Sequence, residues 1–356
     1  MKREGAFLSV VAIGILDSKE LSNNMKHQNP DCTYVEIGEW NCPKCFNYNL
    51  PSNKIICGDA LEELKKMPNE SVDCVVTSPP YWALRDYGIN GQLGLEPTFE
   101  EYIKKLCDIF DEVQRVLKKD GTCWVNVGDT YFNSPTGKHD NFRGDISKKT
   151  FTAQMSHGRN IDFSRISLKT KSLCQIPSRF AIEMTNRGWI LRNEIIWYKP
   201  NCMPSPIKDR FTVDFEKVFF FVKSKKYKFV MQKEPLKSKF HGKDWETRKA
   251  EGEPMRQGLG KRATTFGGSP DGRNKRCVWE INTKPLKEAH FATFPEALIE
   301  PMIKAGCPIG GLVLDPFFGA GTTGLVANKQ SKNYIGIELN PEYIKIAQER
   351  INKMLI

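Results

Sequence analysis

The sequence lacks any apolar run near the ~20 residues that a membrane-spanning helix requires. Its apolar stretch from Ala6 to Leu16 is short, and neither an A-x-A cleavage site nor a polar spacer follows it. We therefore expect a buried strand or helix there, with a cleaved signal peptide as the alternative. Internal repeats are also lacking, and 40% of the 356 residues are hydrophobic and 27% charged. This composition excludes disordered and fibrous classes, and predicts one large or two ordinary globular domains without a membrane partner.

Most of the chain has no net charge, and the basic excess lies in one segment. The formal net charge is +11, from 53 Lys and Arg against 42 Asp and Glu. Residues 199–290 hold 22 basic and 11 acidic residues, and the remainder holds 31 of each. This basic segment is interleaved with aromatic residues and with helix breakers, which favours a surface that follows nucleic-acid phosphates over a membrane-binding amphipathic helix. The candidate DNA-contacting residues are Lys208, Arg210, Lys225, Lys226, Lys228, Arg273, Lys275 and Arg276.

The chain is not poor in cysteine, since it has 11. Most of them stand singly in apolar runs, which is typical of buried free thiols in a cytosolic protein, so we expect a cytoplasmic location. The exception is Cys42-Pro-Lys-Cys45, with Cys32 ten residues earlier. A tetrahedral zinc site needs four ligands, and only one pair here has the usual spacing; His27 and Cys57 are candidates for the fourth. Zinc on this N-terminal appendage, residues 1–50, is therefore a hypothesis beside that of ordinary thiols.

Strand-like and helix-like segments alternate along the rest of the chain. We expect strands at 54–59, 72–76, 122–127, 311–315 and 334–338, and helices at 60–67, 99–117, 176–187 and 294–305, with a last helix from Pro341. Two further strands, 189–198 and 216–222, have no helix between them and predict an antiparallel pair at a sheet edge. The pattern predicts an α/β fold with a largely parallel sheet.

A glycine-rich loop follows one of the predicted strands and opens a helix, with the sequence Gly319-Ala-Gly321-Thr-Thr-Gly324. Such a loop lets a ligand approach the backbone and the helix N-terminus, and Glu338 at the end of the next strand can accept hydrogen bonds from ribose hydroxyls. Only 32 residues follow Gly324, too few for a dinucleotide fold that continues after its fingerprint. Asp315, just before the loop, would repel a pyrophosphate and attract a cationic aminoacyl group. Both points favour S-adenosylmethionine over a nicotinamide cofactor, with a ligand-free packing turn as the alternative.

A second loop follows the buried strand at 72–76 and reads Thr77-Ser78-Pro79-Pro80-Tyr81-Trp82. The two prolines fix φ and remove two N–H donors, which leaves carbonyls, a hydroxyl and two aromatic rings in a rigid loop. Such a loop can accept hydrogen bonds from an amino group and stack on a planar ring. A plain turn at the end of a strand would not need prolines placed between a hydroxyl and paired aromatic rings.

These two loops, in this order and around a basic segment, resemble the DNA amino-methyltransferases in the circularly permuted order called β. The resemblance covers about residues 54–356, and places the catalytic loop first, target recognition next and the cofactor loop last. It implies a Rossmann-like methyltransferase sheet with antiparallel edge strands, formed by 51–198 and 286–356, and a basic target-recognition insert at 199–285. The implied catalytic residues are Ser78, Pro79, Pro80 and Tyr81. The implied cofactor-binding residues are Asp59, Phe291, Thr293, Phe294, Pro295, Asp315, Phe317, Gly319, Gly321, Thr322 and Glu338.

The resemblance also implies a reaction. A base leaves the duplex, Tyr81 stacks on it, and Ser78 and the Pro79 carbonyl accept the hydrogens of its amino group, whose nitrogen attacks the methyl group of S-adenosylmethionine. No cysteine follows Pro79 or Pro80, which argues against C5-cytosine methylation. Serine at the first position is commoner among N4-cytosine enzymes, so we favour cytosine, with N6-adenine as the alternative. A nicotinamide-dependent enzyme, a non-catalytic DNA-binding module, and RNA or protein glutamine methylation are further rivals. Double-stranded DNA is the expected partner, and a cognate restriction endonuclease remains open.

Overall fold

The computed structural model of the chain describes residues 52–132, 162–235, 272–284 and 294–355. Eight strands in the described residues form a central sheet in the order β1-β10-β9-β2-β3-β5-β4-β8, and two short strands pair beside it. The bounds of the strands are β1 Lys54–Cys57, β2 Val72–Thr77, β3 Leu117–Val127, β4 Ile190–Tyr198, β5 Phe215–Val222, β6 Lys233–Glu234, β7 Arg273–Asn274, β8 Val278–Glu280, β9 Leu312–Asp315 and β10 Asn333–Glu338.

Five neighbouring strands, from β1 to β3 in the sheet order, run parallel to one another. Strand β9 lies in the middle of this group, where Val313 is opposite Tyr334 of β10 and opposite Cys74 of β2. All residues of β2 and β9 are buried, as expected for strands covered on both faces. Strand β5 is antiparallel to both β3 and β4, which confirms the predicted antiparallel pair. The pair is not at the edge itself, because the short strand β8 lies beside β4 and is parallel to it.

Six α-helices of the described residues cover the two faces of the sheet. Their bounds are α1 Ala60–Lys66, α2 Phe99–Val116, α3 Ile176–Asn186, α4 Glu296–Gly306, α5 Thr322–Lys329 and α6 Pro341–Leu355. Helices α2 and α3 meet through the rings of Phe110 and Phe180, whose centroids are 5.3 Å apart. Leu298 of α4 and Val326 of α5 pack into a core cluster with Trp124. Within the described ranges, none of the helices combines the length and apolar character needed to span a bilayer.

One element boundary differs from the expectation, because β3 begins at Leu117 and not near residue 122. The sequence from Lys118 to Gly121 has the composition of a turn, yet it continues the strand. Leu117 is fully buried opposite Val72, and Lys118 forms an ion pair with the buried carboxylate of Asp73 at 2.8 Å. Long-range pairing therefore overrides the local preference for a turn.

Candidate active site

The parallel strands β1, β10, β9, β2 and β3 end at one edge of the sheet, here called the carboxyl edge. Thr77 ends β2, Asp315 ends β9 and Glu338 ends β10. In open α/β sheets this edge is where ligands bind. Both predicted loops begin here, so the fold brings the Ser-Pro-Pro-Tyr loop next to the glycine loop, as expected.

Asp315 links the two loops through hydrogen bonds. Its carboxylate accepts from the hydroxyl of Thr77 at 2.6 Å, from the hydroxyl of Thr323 at 2.6 Å and from the backbone N–H of Phe317 at 3.0 Å. The side chain is fully buried, and this burial raises its pKa to about 6, although the three donors oppose the rise. Thr77 and Thr323 have no counterpart among the predicted site residues. Their position beside the two motifs is the only signal of them in the sequence.

The glycine loop leaves room at the backbone for a ligand. Gly319 and Gly321 have φ of +51° and +78°, which residues with a side chain rarely adopt. A Cβ on Gly321 would lie 2.7 Å from Cβ of Ala347, so close packing with α6 excludes it. A Cβ on Gly319 would meet only the Phe317 carbonyl, at 4.0 Å, so that the space beside this residue is open.

Glu338 closes the other side of the glycine loop. One carboxylate oxygen accepts from the N–H of Gly319 at 2.7 Å, and the other accepts from the N–H of Asn340 at 2.8 Å. Burial raises the pKa of this carboxyl above its ordinary value. Asp59 follows the neighbouring strand β1 and caps α1, accepting from the N–H groups of Leu61 and Glu62. The open glycine backbone with two carboxylates at adjacent strand ends fits the adenosine part of S-adenosylmethionine.

Some of the remaining predicted cofactor residues lie inside the described ranges, and others lie outside them. Phe294 and Pro295 precede α4 and are at least partly buried. Thr322 is the first residue of α5, and its hydroxyl accepts a hydrogen bond from Arg350 at 3.2 Å. Phe291 and Thr293 lie outside the described residues, so the predicted methionine-binding segment that begins at His290 is described only in part.

Hydrogen bonds from outside the Ser-Pro-Pro-Tyr loop hold it in place. The carbonyl of Pro80 accepts from the hydroxyl of Tyr102 at 2.8 Å, and the indole N–H of Trp82 donates to the carbonyl of Glu96 at 3.0 Å. Pro79 is buried, whereas Ser78 and Tyr81 are partly accessible. The loop therefore presents the hydroxyl and the phenol ring on a backbone that has little freedom to move.

Three polar residues absent from the predicted site surround Tyr81. Its phenol donates to Glu216 Oε2 at 2.7 Å and lies 3.2 Å from Asn126 Oδ1. Asn126 Nδ2 donates to Glu216 Oε2 at 3.1 Å, and Lys199 Nζ pairs with Glu216 Oε1. The hydroxyl of Ser78 is 3.5 Å from Asn126 Oδ1. Burial, together with the Glu216 carboxylate, raises the pKa of Tyr81 well above its ordinary value, so the phenol stays neutral.

The signal for these residues in the sequence is a polar side chain within or beside an apolar strand. Asn126 lies near the end of the buried strand β3, while Lys199 and Glu216 stand at the facing ends of β4 and β5. The next residue after β3, Gly128, explains how the ring of Tyr81 fits: a Cβ there would lie 2.3 Å from Cε2 of that ring.

The candidate DNA-contacting residues do not form one surface. Lys208 and Arg210 lie on the connection between β4 and β5, which starts and ends at the carboxyl edge. Lys225, Lys226 and Lys228 follow the other end of β5, where Val222 pairs with Thr122 and the N–H of Lys228 donates to the carbonyl of Asp120 in the first half of β3. They therefore lie at the opposite, amino edge of the sheet. Lys228 also forms ion pairs with Asp73 and Asp120.

Arg273, Lys275 and Arg276 also lie away from the Ser-Pro-Pro-Tyr loop. Arg273 and Arg276 both pair with Glu234 at 2.7 Å, and the N–H of Lys275 donates to the carbonyl of Gln232. Gln232 is on the segment that continues from the amino edge, since Val230 is hydrogen-bonded to Ala305 near the end of α4. Of the eight candidates, Lys208 and Arg210 are the two that share an edge of the sheet with the loop.

The predicted zinc ligands Cys32, Cys42 and Cys45 lie outside the described residues, and zinc stays a prediction. Among the residues that the structure covers, no three His, Cys, Asp or Glu side chains are grouped as a metal site requires. Eight cysteines are described, and all eight are free thiols.

Comparison with known proteins identifies the family of the chain. Residues 72–349 match a family model described as DNA methylase. The chain is 42% identical to the Type II methyltransferase M.SmaI of Serratia marcescens, over 86% of this chain and 94% of that protein. It is 43% identical to M.Cfr9I of Citrobacter freundii, over 83% of this chain and 86% of that protein.

Solved structures share the fold. The PvuII DNA methyltransferase, which is cytosine-N4-specific, matches with a TM-score of 0.54 and 23% identity over 85% of this chain and 90% of that one. A putative DNA modification methylase from Thermus thermophilus, solved with S-adenosylmethionine, matches with a TM-score of 0.50 and 23% identity over 84% of this chain and 93% of that one. The chain therefore belongs to the N6/N4 DNA methylase family and is an S-adenosylmethionine-dependent DNA methyltransferase.

Proposed function

We propose that this enzyme methylates the N4 amino group of a cytosine that it has turned out of double-stranded DNA. The observation that carries the proposal is the hydrogen bond of 2.6 Å from Thr77 to Asp315. Thr77 directly precedes Ser78, and Asp315 directly precedes the glycine loop, so this bond joins the candidate base site to the candidate cofactor site. Two substrates held on such a joint support can react with little loss of entropy.

Each residue of the Ser-Pro-Pro-Tyr loop has a role in this proposal. S-adenosylmethionine supplies an electrophilic methyl group on its sulfonium. The hydroxyl of Ser78 donates towards Asn126 Oδ1, which leaves the lone pairs of Oγ to accept one amino hydrogen of the base. The carbonyl of Pro79 accepts the other, and the ring of Tyr81 stacks on the base. These two acceptors localise the nitrogen lone pair, which would form the new bond to the methyl carbon as its bond to the sulfonium sulfur breaks. The products would be the methylated base, S-adenosylhomocysteine and one amino proton, which passes to solvent.

The other assignments follow from the same placement. The open backbone at Gly319, the turn that Gly321 allows, and the carboxylates of Asp59 and Glu338 are proposed to hold S-adenosylmethionine. Phe294, Pro295, Phe317 and Thr322 are proposed to lie beside them. Asp315 is proposed to act through its charge and through the donors that it orients. Lys208 and Arg210 are proposed to contact DNA phosphates, within a target-recognition region at 199–285 and in a circularly permuted chain order.

Cytosine is favoured over adenine because serine occupies the first position of the catalytic loop. The relatives at 42% and 43% identity are Type II methyltransferases, which supports a cognate restriction endonuclease as the functional partner and the cytoplasm as the location. Expression in a methylation-free host followed by nucleoside analysis of its DNA tests the base. We expect N4-methylcytosine, and none in a host that expresses Ser78→Ala. N6-methyladenine instead would contradict the choice of cytosine, and unmodified DNA would contradict the proposed activity on DNA.

A further inference from the structure

The connection between β4 and β5, residues 199–214, is called here the 199–214 loop. It carries apolar side chains that are not buried in the protein. Phe211 is 97% exposed and Met203 is 82% exposed, with Ile207 and Val213 close to half exposed. Removal of an apolar ring from water is favourable, so a ring left almost wholly in water can contribute binding free energy when a partner covers it.

The 199–214 loop is anchored at several points, so the exposure of Phe211 does not come from a loose segment. The N–H of Lys199 donates to the carbonyl of Asp214 at 2.7 Å, which closes the base of the loop. Asp209 pairs with Lys171 at 2.6 Å, and the guanidinium of Arg210 lies 3.6 Å from the centroid of the Tyr131 ring. The residues on the N-terminal side of Phe211 are thus held against a neighbouring segment, while Phe211 itself extends into solvent.

The two ends of the loop lie at the candidate base site. Lys199 at one end pairs with Glu216 just beyond the other, and Glu216 accepts the hydrogen bond of the Tyr81 phenol. Tyr131, against which Arg210 packs, follows β3 by four residues, and Gly128 between them touches the ring of Tyr81. The loop therefore rises from the rim of the site where the base is expected to bind.

Charge and apolarity occur together on this loop. Lys208 is exposed, and Arg210 directly precedes Phe211. Cationic side chains bind the phosphates of DNA, whereas an apolar ring can insert between stacked bases. A base that leaves the duplex opens a gap there, and unstacking costs a few kcal/mol unless another group fills the gap.

We propose that Phe211 enters the DNA base stack at the position that the target base leaves, and so stabilises the extruded state. The proposal rests on the proposed function, because it requires that a base is extruded. Lys208 and Arg210 hold the flanking phosphates, and the anchored loop delivers the ring. Apolar side chains inserted between base steps are a known physical means of deforming a duplex.

The test compares Phe211→Ala with two other variants, in single-turnover methyl transfer to a duplex that contains the sequence methylated in the host. Phe211→Leu keeps an apolar side chain. Ile309→Ala is the matched control, since Ile309 is 86% exposed and lies just before β9, at the amino edge of the sheet. Each variant is measured on a duplex with a correctly paired target and on one with a mispaired target, which is already partly unstacked. Fluorescence of pyrrolocytosine, a cytosine analogue that pairs with guanine, at the target position reports base extrusion.

We expect Phe211→Ala to slow transfer about tenfold or more on the paired duplex, and much less on the mispaired one, with lower pyrrolocytosine fluorescence. Phe211→Leu should recover part of the loss, and Ile309→Ala should behave as the wild type. Equal losses on the two duplexes, or unchanged fluorescence, would overturn the proposal. It would also be overturned if the wild type formed dimers in solution and Phe211→Ala did not, because Phe211 would then serve a dimer interface. If the wild type methylates neither duplex, the proposed function itself fails, and this result is distinct from the others.

Discussion

The phenol of Tyr81 has two acceptors within reach but only one proton to donate. Glu216 Oε2 is closer, at 2.7 Å, and its carboxylate is fixed on the other side by Lys199. Asn126 Oδ1, at 3.2 Å, is left for the hydroxyl of Ser78. These hydrogen bonds orient the ring of Tyr81 and the proton of Ser78 together. We therefore expect Asn126, Lys199 and Glu216 to act as positioning residues for the Ser-Pro-Pro-Tyr loop.

This arrangement predicts different effects for two substitutions of Tyr81. Tyr81→Phe keeps the stacking ring but loses a hydrogen bond to a charged group, so we expect kcat to fall about tenfold. Tyr81→Ala removes the ring as well, and should lower kcat by a further tenfold or more. The Kd of S-adenosylmethionine, measured by calorimetry, should change in neither variant. Tyr227→Phe is the matched control, because its hydroxyl accepts from Arg192 and lies far from the site. A normal kcat in Tyr81→Ala would remove Tyr81 from the base site.

Asp315 shows how a buried carboxylate can serve the site at the expense of stability. Its pKa in the folded protein, about 6, lies above the ordinary value of 3.8. The folded state therefore binds the proton more tightly than the unfolded state. The contribution to stability is complete below pH 4 and is lost as the pH rises to about 6.

This linkage predicts a pH dependence that Asp315→Asn should lack. Between pH 4.5 and 6.5 the free energy of unfolding of the wild type should fall relative to that of the variant by about 1–2 kcal/mol, and the difference should be constant above pH 7. Urea denaturation of both proteins across this range measures it. A difference that does not vary with pH would mean that Asp315 titrates normally.

At the scale of elements, regular structure was predictable where a long periodic pattern and a cap agree. Helix α2 shows this, with apolar residues at helical spacing and Thr98 capping the N–H of Glu101 at 3.2 Å. The two loops at the carboxyl edge were predictable because their glycines and prolines restrict the backbone locally. The partners of Tyr81 were not, because Asn126 and Glu216 are 45 and 135 residues away in the chain and only the pairing of β3 with β5 brings them together.

The direction of β5 also determines at which edge of the sheet each basic residue lies. Composition alone does not give this position. The double variant Lys208→Ala/Arg210→Ala should reduce the slope of log K for DNA against log salt by about 2, since each phosphate contact contributes about 0.9. The matched control is Lys225→Ala/Lys226→Ala, which removes the same charge at the amino edge and should leave the slope unchanged. Titrations of each variant with DNA between about 50 and 200 mM salt measure these slopes. If only the control changed the slope, DNA would bind at the other edge.

At the scale of the whole molecule, the cofactor is expected to stabilise the fold, because its proposed ligands lie on three different strands. S-adenosylmethionine at about 100 times its Kd should raise the free energy of unfolding by about 2.7 kcal/mol. Glu338→Ala should weaken binding by ~1.5–3 kcal/mol, so the same concentration would give a much smaller rise. Thermal unfolding with and without the cofactor measures both. An equal rise in the variant would show that Glu338 does not contact the cofactor.

The central position of β9 has a consequence for when the enzyme first becomes active in a cell. The Thr77 hydroxyl and the Asp315 carboxylate that join the two loops are separated by 238 residues in the chain. At a translation rate of roughly 10 residues per second, the catalytic loop leaves the ribosome roughly 20 s before the strand that completes it. During this interval β2 presents an unpaired edge in the middle of the future sheet, and no cofactor site exists. We therefore expect that a nascent chain cannot methylate DNA, and that a chain ending before β9 would keep an unpaired sheet edge, which favours aggregation.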